Sequence, residues 1–431
     1  MRKKHRVIPW IALRHHNYRL LWFGNTFSQF GDHMQQMAQN WLVWQLTGSV
    51  TALGLAAFVG IVPRLAFGFF GGPIVDNHNR RRLLGITQSV AFLVALGFSV
   101  TVAGHLISFP SALVFIFALE ATQIVNQTTR QALLPELVPR GEITSAVSLN
   151  ATGNNLARIA GPAFGGMLIP LTGVVGLMAI NTVTFLGVVI AVWFMHVPDE
   201  AVLSRRESKN GFVADLKEGY FYIWQNNSLR MLIYLGMASA LLVMPFTSLL
   251  PAYVDRAMHQ GPQFLGFLTA AFGTGAVIGA TVSPTVRAGI GGIVTLLAAV
   301  VQGAGLILFG WSYFPTLSII ALFILGIATI VYNNSVVTAM QLTAAPDYLG
   351  RVMGVYLMSK AVTNLGAMLL GTAAVLTGPA GIFILSGVLY LILGAGVQFV
   401  CRGLGAEALE PAVAQSRNLK AAQMRDKHPG T

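Results

Sequence analysis

"SQFGDHMQQMAQNW", residues 28–41, sets an acid, a histidine and five amides into a run enclosed by "YRLLWFGNTF" (18–27) and "LVWQL" (42–46). At 100° per residue, Asn25, Gln29, Asp32, Gln36 and Gln39 fall on one narrow helical face. Phe23, Phe27, Phe30, Met34, Met37 and Trp41 fall on the other. The segment is long enough to cross a bilayer, and lipid offers no hydrogen bonds, so the polar face must meet protein or a water-filled cavity. An ionisable group at that depth points to function, with helix-to-helix adhesion as the plain alternative. His33 lies about 100° off the stripe and reads as packing.

The rest of the chain supports a membrane setting. Of its 431 residues 55% are hydrophobic and 10% charged, against about 25% charged in a soluble protein, and the mean hydropathy is +0.67. The single cysteine, Cys401, excludes a disulfide framework and argues against a cysteine metal site. Residues 1–17 are basic and lack the apolar core of a signal peptide. Apolar segments of spanning length fall at roughly 18–46, 51–75, 83–105, 111–134, 144–170, 175–197, 229–255, 263–287, 292–312, 314–342, 352–378 and 379–401. The expected fold is an all-α integral membrane protein, twelve transmembrane helices in two pseudo-symmetric six-helix bundles. Its parts are a basic N-terminus (1–17), a first bundle (18–197), a linker (198–228), a second bundle (229–401) and a tail (402–431). Within the linker, "GFVADLKEGYFYIW" (211–224) has the pattern of an amphipathic helix lying on the membrane surface.

The net charge of +12 reflects topology rather than nucleic-acid binding. Of 27 Lys and Arg, 22 fall in residues 1–19, 80–82, 140, 198–230, 287, 351 and 402–431, all on one side of the expected topology. Only Arg256 falls in a loop on the other side. Both termini are therefore expected in the cytoplasm. "HNYRLL" (16–21) returns as "NSLRML" (227–232), and "ALGLAAFVG" (52–60) as "FLGFLTAAFG" (264–273), so six spans have been duplicated. Duplicated membrane halves are a plan of secondary transporters.

Four basic residues, Arg64, Arg130, Arg158 and Lys360, fall inside spans. Counted at 1.5 Å per residue, Asp32, Arg64, Glu120 and Arg158 lie near mid-membrane, which predicts charge pairs. Asp32 is expected to pair with Arg158, leaving Glu120 as the proton carrier unless Arg64 reaches it. Further cavity candidates are Gln123 and Gln127 in span four, Asn154 in span five, Asn333, Asn334 and Gln341 in span ten, and Lys360 and Asn364 in span eleven. The balance of charge favours an anionic or polyhydroxy cargo.

"GGPIVDNHNRRRLL" (71–84) resembles the loop signature of the major facilitator superfamily. Gly72, Asp76, Arg80 and Arg81 match; Asn77 stands where that pattern has Arg, and Asn79 where it has Gly. "NNLARIAGPAFGG" (154–166) resembles the Gly-Pro signature of antiporter members, through Gly161, Pro162, Gly165 and Gly166, with Ala157 replacing an upstream Gly. "RQALLPELVPRGEITSAVSLN" (130–150) is similar to the bacterial branch holding the enterobactin exporter and macrolide efflux proteins. The resemblance implies a cytoplasmic gate at Gly72, Asp76, Arg80 and Arg81. Asp76 would meet the start of span eleven near Arg351, or Arg130. It further implies efflux of a small organic molecule such as a drug, siderophore or secondary metabolite, by antiport from a bacterial inner membrane.

No HExxH, paired-aspartate or Ser/His/Asp constellation and no Gly-Lys phosphate motif appears. The expectation is a monomeric, proton-coupled exporter without metal, cofactor or nucleic-acid partner, embedded in lipid. Alternatives are a sodium-coupled or importing relative, a lipid flippase, or a non-transporting sensor.

Overall fold

The structure, a computed structural model, describes residues 10–64, 66, 75, 78–195, 212–283, 291–345 and 348–403. Gly72, Asp76, Asn77 and Arg287, residues 198–211 of the linker and all but the first two residues of the 402–431 tail lie outside the described residues. Among those described, every regular element is helical. Eight helices are long and apolar enough to cross a membrane, with a shorter apolar helix at Val50–Arg64. Helix α1 (His16–Thr47) is not among the eight although it has 32 residues. Its polar stripe lowers its apolarity.

Four helices follow in the first half: α2 (Val50–Val59), α3 (Arg80–Ala103), α4 (Phe109–Leu133) and α5 (Ile143–Phe194). The linker helix is α6 (Phe212–Gln225). Then come α7 (Asn227–Ala238), α8 (Phe246–Arg256), α9 (Pro262–Val282), α10 (Gly291–Trp311), α11 (Pro315–Thr343), α12 (Leu349–Ser359) and α13 (Val362–Gly403).

Helices α5 and α13 each reverse at one glycine, Gly173 (φ 67°, ψ −175°) and Gly378 (φ 75°, ψ 169°). Positive φ there strains any residue with a β-carbon. The two reversals are copies: "LTGVVG" (171–176) and "LTGPAG" (376–381). In both, the threonine hydroxyl lies 3.4 Å from the carbonyl oxygen of the reversing glycine. They fall at the expected boundaries between spans five and six and between spans eleven and twelve, so the duplication extends to the turns.

Two compact units divide the chain. The first takes in Met1–Glu207, Thr247–Gly273 and Ala367–Val375; the second takes in Ser208–Phe246, Thr274–Gly366 and Leu376–Thr431.

In the first unit, α1 is clasped by both passes of α5. Tyr18 OH donates to the Ala146 carbonyl at 2.8 Å and Trp22 Nε1 to that of Leu149 at 3.0 Å. Farther along, a β-carbon on Gly153 would meet Thr26, one on Gly161 would meet His33, and one on Gly165 would meet Met37. That rising register makes α1 and the first pass parallel. A β-carbon on Gly24 would instead meet Ala191 and Val188, and one on Gly31 would meet Asn181 and Thr184, so the second pass runs antiparallel. Small residues let these helices approach closely.

The segments from later in the chain join the same unit through further glycines. Gly166 crosses Gly266, and Gly54 crosses the backbone of Ala367 and Met368. At one end Trp44 Nε1 donates to Asp255 Oδ2 at 3.0 Å, and Arg256 lies 4.8 Å over the Trp44 ring and donates to the Gly48 carbonyl at 2.6 Å.

In the second unit the core is formed by Leu229, Val331, Tyr332, Val336, Met340 and Val352, drawn from α7, α11 and α12. The linker helix α6 docks on the start of α12. Tyr222 stacks on Tyr348 with centroids 4.3 Å apart, and Arg351 Nη1 donates to Glu218 Oε1 at 3.1 Å. The span expected to run unbroken over 352–378 is interrupted between Ser359 and Val362.

Candidate functional site

The polar stripe of α1 separates into two kinds of residue. Asn25 is buried and its amide donates to Asn150 Oδ1 at 3.1 Å. Gln35, one position from the stripe, is also buried and accepts from Asn181 Nδ2 at 2.5 Å. These two fasten helices together. Gln29, Asp32 and Gln39 are half-buried, and Gln36 is exposed, as are Gln127 on α4 and Asn154 on α5. Phe23 and Phe27, on the opposite edge, are exposed at 47% and 62%. They line an apolar recess of about 500 Å³ between α1 and α5.

Asp32 sits beside the amides of Gln123 on α4 and Asn181 on α5, within reach of the charges of Arg130 and Glu120. The expected Asp32–Arg158 pair is not formed. Arg158 lies on the side of α1 that carries His33, and its buried Nε has no hydrogen-bond partner. The reason is geometric. Arg158 stands one turn before Gly161, and Gly161 packs on His33, while the residues beside Asp32 meet the other pass of α5. Glu120 has a cation of its own, with Arg64 Nη2 at 3.1 Å and Nε at 3.3 Å from the same Oε2 oxygen.

Of the arginines expected at a gate, Arg80 pairs with Glu136 and donates to the Ala132 carbonyl at 3.2 Å, fastening α3 to the end of α4. Arg81 caps α5, through Nε to the Val192 carbonyl at 3.1 Å and Nη2 to the Trp193 carbonyl at 2.8 Å. Arg130 lines a small cavity with Tyr18, Trp22, Asn25 and Asn150, and its Nη1 has no hydrogen-bond partner. Arg351 faces the linker helix.

In the second unit, Lys360 Nζ is 2.7 Å from Asn333 Oδ1. Asn364 is buried, whereas Asn334 and Gln341 are exposed and take no part in that contact. A buried chain escaped sequence reasoning: Tyr390 OH donates to Gln302 Oε1 at 2.7 Å, and Gln302 Nε2 donates to Thr329 Oγ1 at 3.1 Å. Lone amides and phenols in apolar helices were its only signal. Among the described residues no group of three His, Cys, Asp or Glu could hold a metal.

A family model described as "Transmembrane secretion effector" matches residues 7–427. The chain is 27% identical over 409 residues to the multidrug efflux pump Tap of Mycolicibacterium fortuitum, covering 89% of this chain and 95% of that protein. It is 23% identical over 400 residues to macrolide efflux protein A of Streptococcus pyogenes, covering 88% and 96%. Its fold matches that of a bacterial homologue of the human lysosomal transporter Spinster with a TM-score of 0.69, at 14% identity and covering 93% and 98%.

Proposed function

Since the chain belongs to the transmembrane secretion effector family of the major facilitator superfamily, we propose that it is a proton-coupled exporter of a small organic molecule. It is a multi-pass membrane transporter and not an enzyme. One observation carries the finer reading. Gln36, Gln127 and Asn154 are exposed at the depth of helices that are otherwise apolar. An amide has no partner in lipid, so these three face a watered path. Asp32 lies on the same face of α1 as Gln36 and has no cation among the described residues within ion-pair distance. It is the acid that can take up and release a proton as the path opens alternately to each side. The efflux named for Tap and for macrolide efflux protein A supports outward movement of drug-sized cargo.

The test is uptake of a cationic fluorescent dye into everted membrane vesicles under an imposed pH gradient, with and without the protein. Accumulation that needs the protein and collapses with a protonophore is the expected result. Accumulation driven by sodium alone would replace the proton, and none under any gradient would end the transport reading.

The 22 basic residues on one side further support a reading with both termini in the cytoplasm of a bacterial inner membrane. Alkaline phosphatase fused after Gly48 should be active, and fusions after Asn210 or Gln415 should be silent. An active fusion at Asn210 inverts the topology.

A further inference from the structure

Two helix irregularities meet in the second unit. Ser239–Val243 is a π-helical turn between α7 and α8. The chain between α12 and α13 closes only short-range bonds, from Ala361 N–H to the Met358 carbonyl at 3.0 Å and from Thr363 N–H to that of Lys360 at 3.1 Å. The two places touch, since a β-carbon on Gly366 would sit 2.2 Å from the Leu241 carbonyl oxygen. Single π turns recur at functional sites, and helices broken inside a membrane recur where transporters hold their cargo.

The side chains gathered there carry more donors than acceptors. Lys360 is half-buried, with its ammonium 5.0 Å from the centre of the Tyr356 ring and one hydrogen bond, to Asn333. No carboxylate among the described residues lies within ion-pair distance of it. Tyr356 OH is buried without a hydrogen-bond partner, whereas Ser239 and Tyr332 lie against the hydroxyl of Tyr390. A buried group left unsatisfied is costly, and so is a lone charge at this depth. Helix adhesion explains the Asn333 contact but not an ammonium with two N–H groups to spare beside the idle phenol of Tyr356.

We infer that Lys360 and Tyr356 form a subsite for a carboxylate on the cargo, so that the exporter handles amphipathic organic acids. The carboxylate accepts from the ammonium and a phenol, and the Tyr356 ring lies beside its apolar body. This rests on the export reading above and names the class of cargo.

The probes are a xanthene dye bearing a free benzoate and the methyl ester of the same dye. Binding to the purified chain in nanodiscs is followed by fluorescence anisotropy, and movement is followed in everted vesicles. Wild type should bind the acid more tightly than the ester. Lys360→Gln should weaken the acid by ~10-fold or more while leaving the ester within about twofold, since a charge-assisted contact is worth at least the ~1.4 kcal/mol of a tenfold change. Lys360→Arg should keep most of the preference. Tyr356→Phe should lower acid affinity severalfold without lowering the melting midpoint, because it removes an unpaired hydroxyl. Equal binding of acid and ester by wild type overturns the subsite, as does a Lys360→Gln chain that loses both alike. A chain that prefers the acid through Lys360 yet moves neither dye keeps the subsite and removes the export reading. Movement of both dyes regardless of residue 360 does the reverse.

Discussion

Gly166→Val is expected to cut transport by ~10-fold or more, while Gly165→Ala, one residue away, leaves it near wild type. The two glycines differ in what a side chain would strike. A β-carbon on Gly165 would rest 3.5 Å from Met37 Sδ, an ordinary contact with the end of a flexible chain. A β-carbon on Gly166 would lie 2.4 Å from Gly266 Cα and 3.1 Å from the Gln263 carbonyl oxygen, and backbone cannot turn aside as a rotamer can. Helices α5 and α9 must then part by about an ångström. Overpacking of this kind costs ~1–3 kcal/mol, which at ~1.4 kcal/mol per tenfold moves a two-state equilibrium by one to two decades. Membrane insertion should survive, because the segment becomes more apolar and no hydrogen bond is lost. Immunoblots of the membrane fraction beside dye uptake separate the two effects. Wild-type uptake by Gly166→Val would mean that the crossing is passive scaffolding. Loss in both variants would mean that any change in this turn is fatal and that the Gly266 contact has no special weight.

The helices, the turns at Gly173 and Gly378 and the duplication were legible because apolar runs and glycines are one-dimensional signals. The linker helix was legible for the same reason, and α6 begins one residue into the expected stretch. What the helical wheel could not supply was which neighbour each face meets. It set His33 100° from Asp32, and the structure does place them toward different partners. Arg158, however, goes with His33, because α1 lies between two passes of α5 that run in opposite directions. Depth alone had brought Asp32 and Arg158 together. The interruption at Lys360 was illegible because "YLMSKAVTNLG" (356–366) carries neither proline nor a glycine at the break. The π turn at Ser239 likewise leaves no mark in "MASALLVM" (237–244).

Asp32→Asn is expected to abolish gradient-driven uptake while sparing downhill exchange of dye, and Glu120→Gln to retain a substantial part of both. This assigns the titrating role opposite to the one that depth and composition suggested. A proton carrier must alternate between charged and neutral without stranding a partner. Protonating Glu120 strands Arg64, which places two N–H groups on one carboxylate oxygen. Protonating Asp32 breaks no ion pair among the described residues and gives up only the longer-range attraction of Arg130, because the groups beside it are the neutral amides of Gln123 and Asn181. The Gln123 amide can turn to present oxygen to a carboxylic acid or nitrogen to a carboxylate, so it serves both states, while Asn181 stays tied to Gln35 and Thr184. Asparagine at position 32 keeps the size and the hydrogen bonds but cannot gain or lose charge. It freezes the neutral state, relieving the ~2.5–3.5 kcal/mol that a charge costs at this depth and with it the link between proton movement and conformation. Asp32→Glu should restore coupling in part, since it returns a titratable group displaced by one methylene. The measurement is uptake into proteoliposomes with and without an inward-acid gradient, beside exchange at equal pH. Undiminished gradient-driven uptake in Asp32→Asn would remove Asp32 from the coupling path. Total loss in Glu120→Gln together with survival of Asp32→Asn would return the role to Glu120. If both variants pump normally, the acids only balance arginines, and the polar stripe of α1 holds helices together.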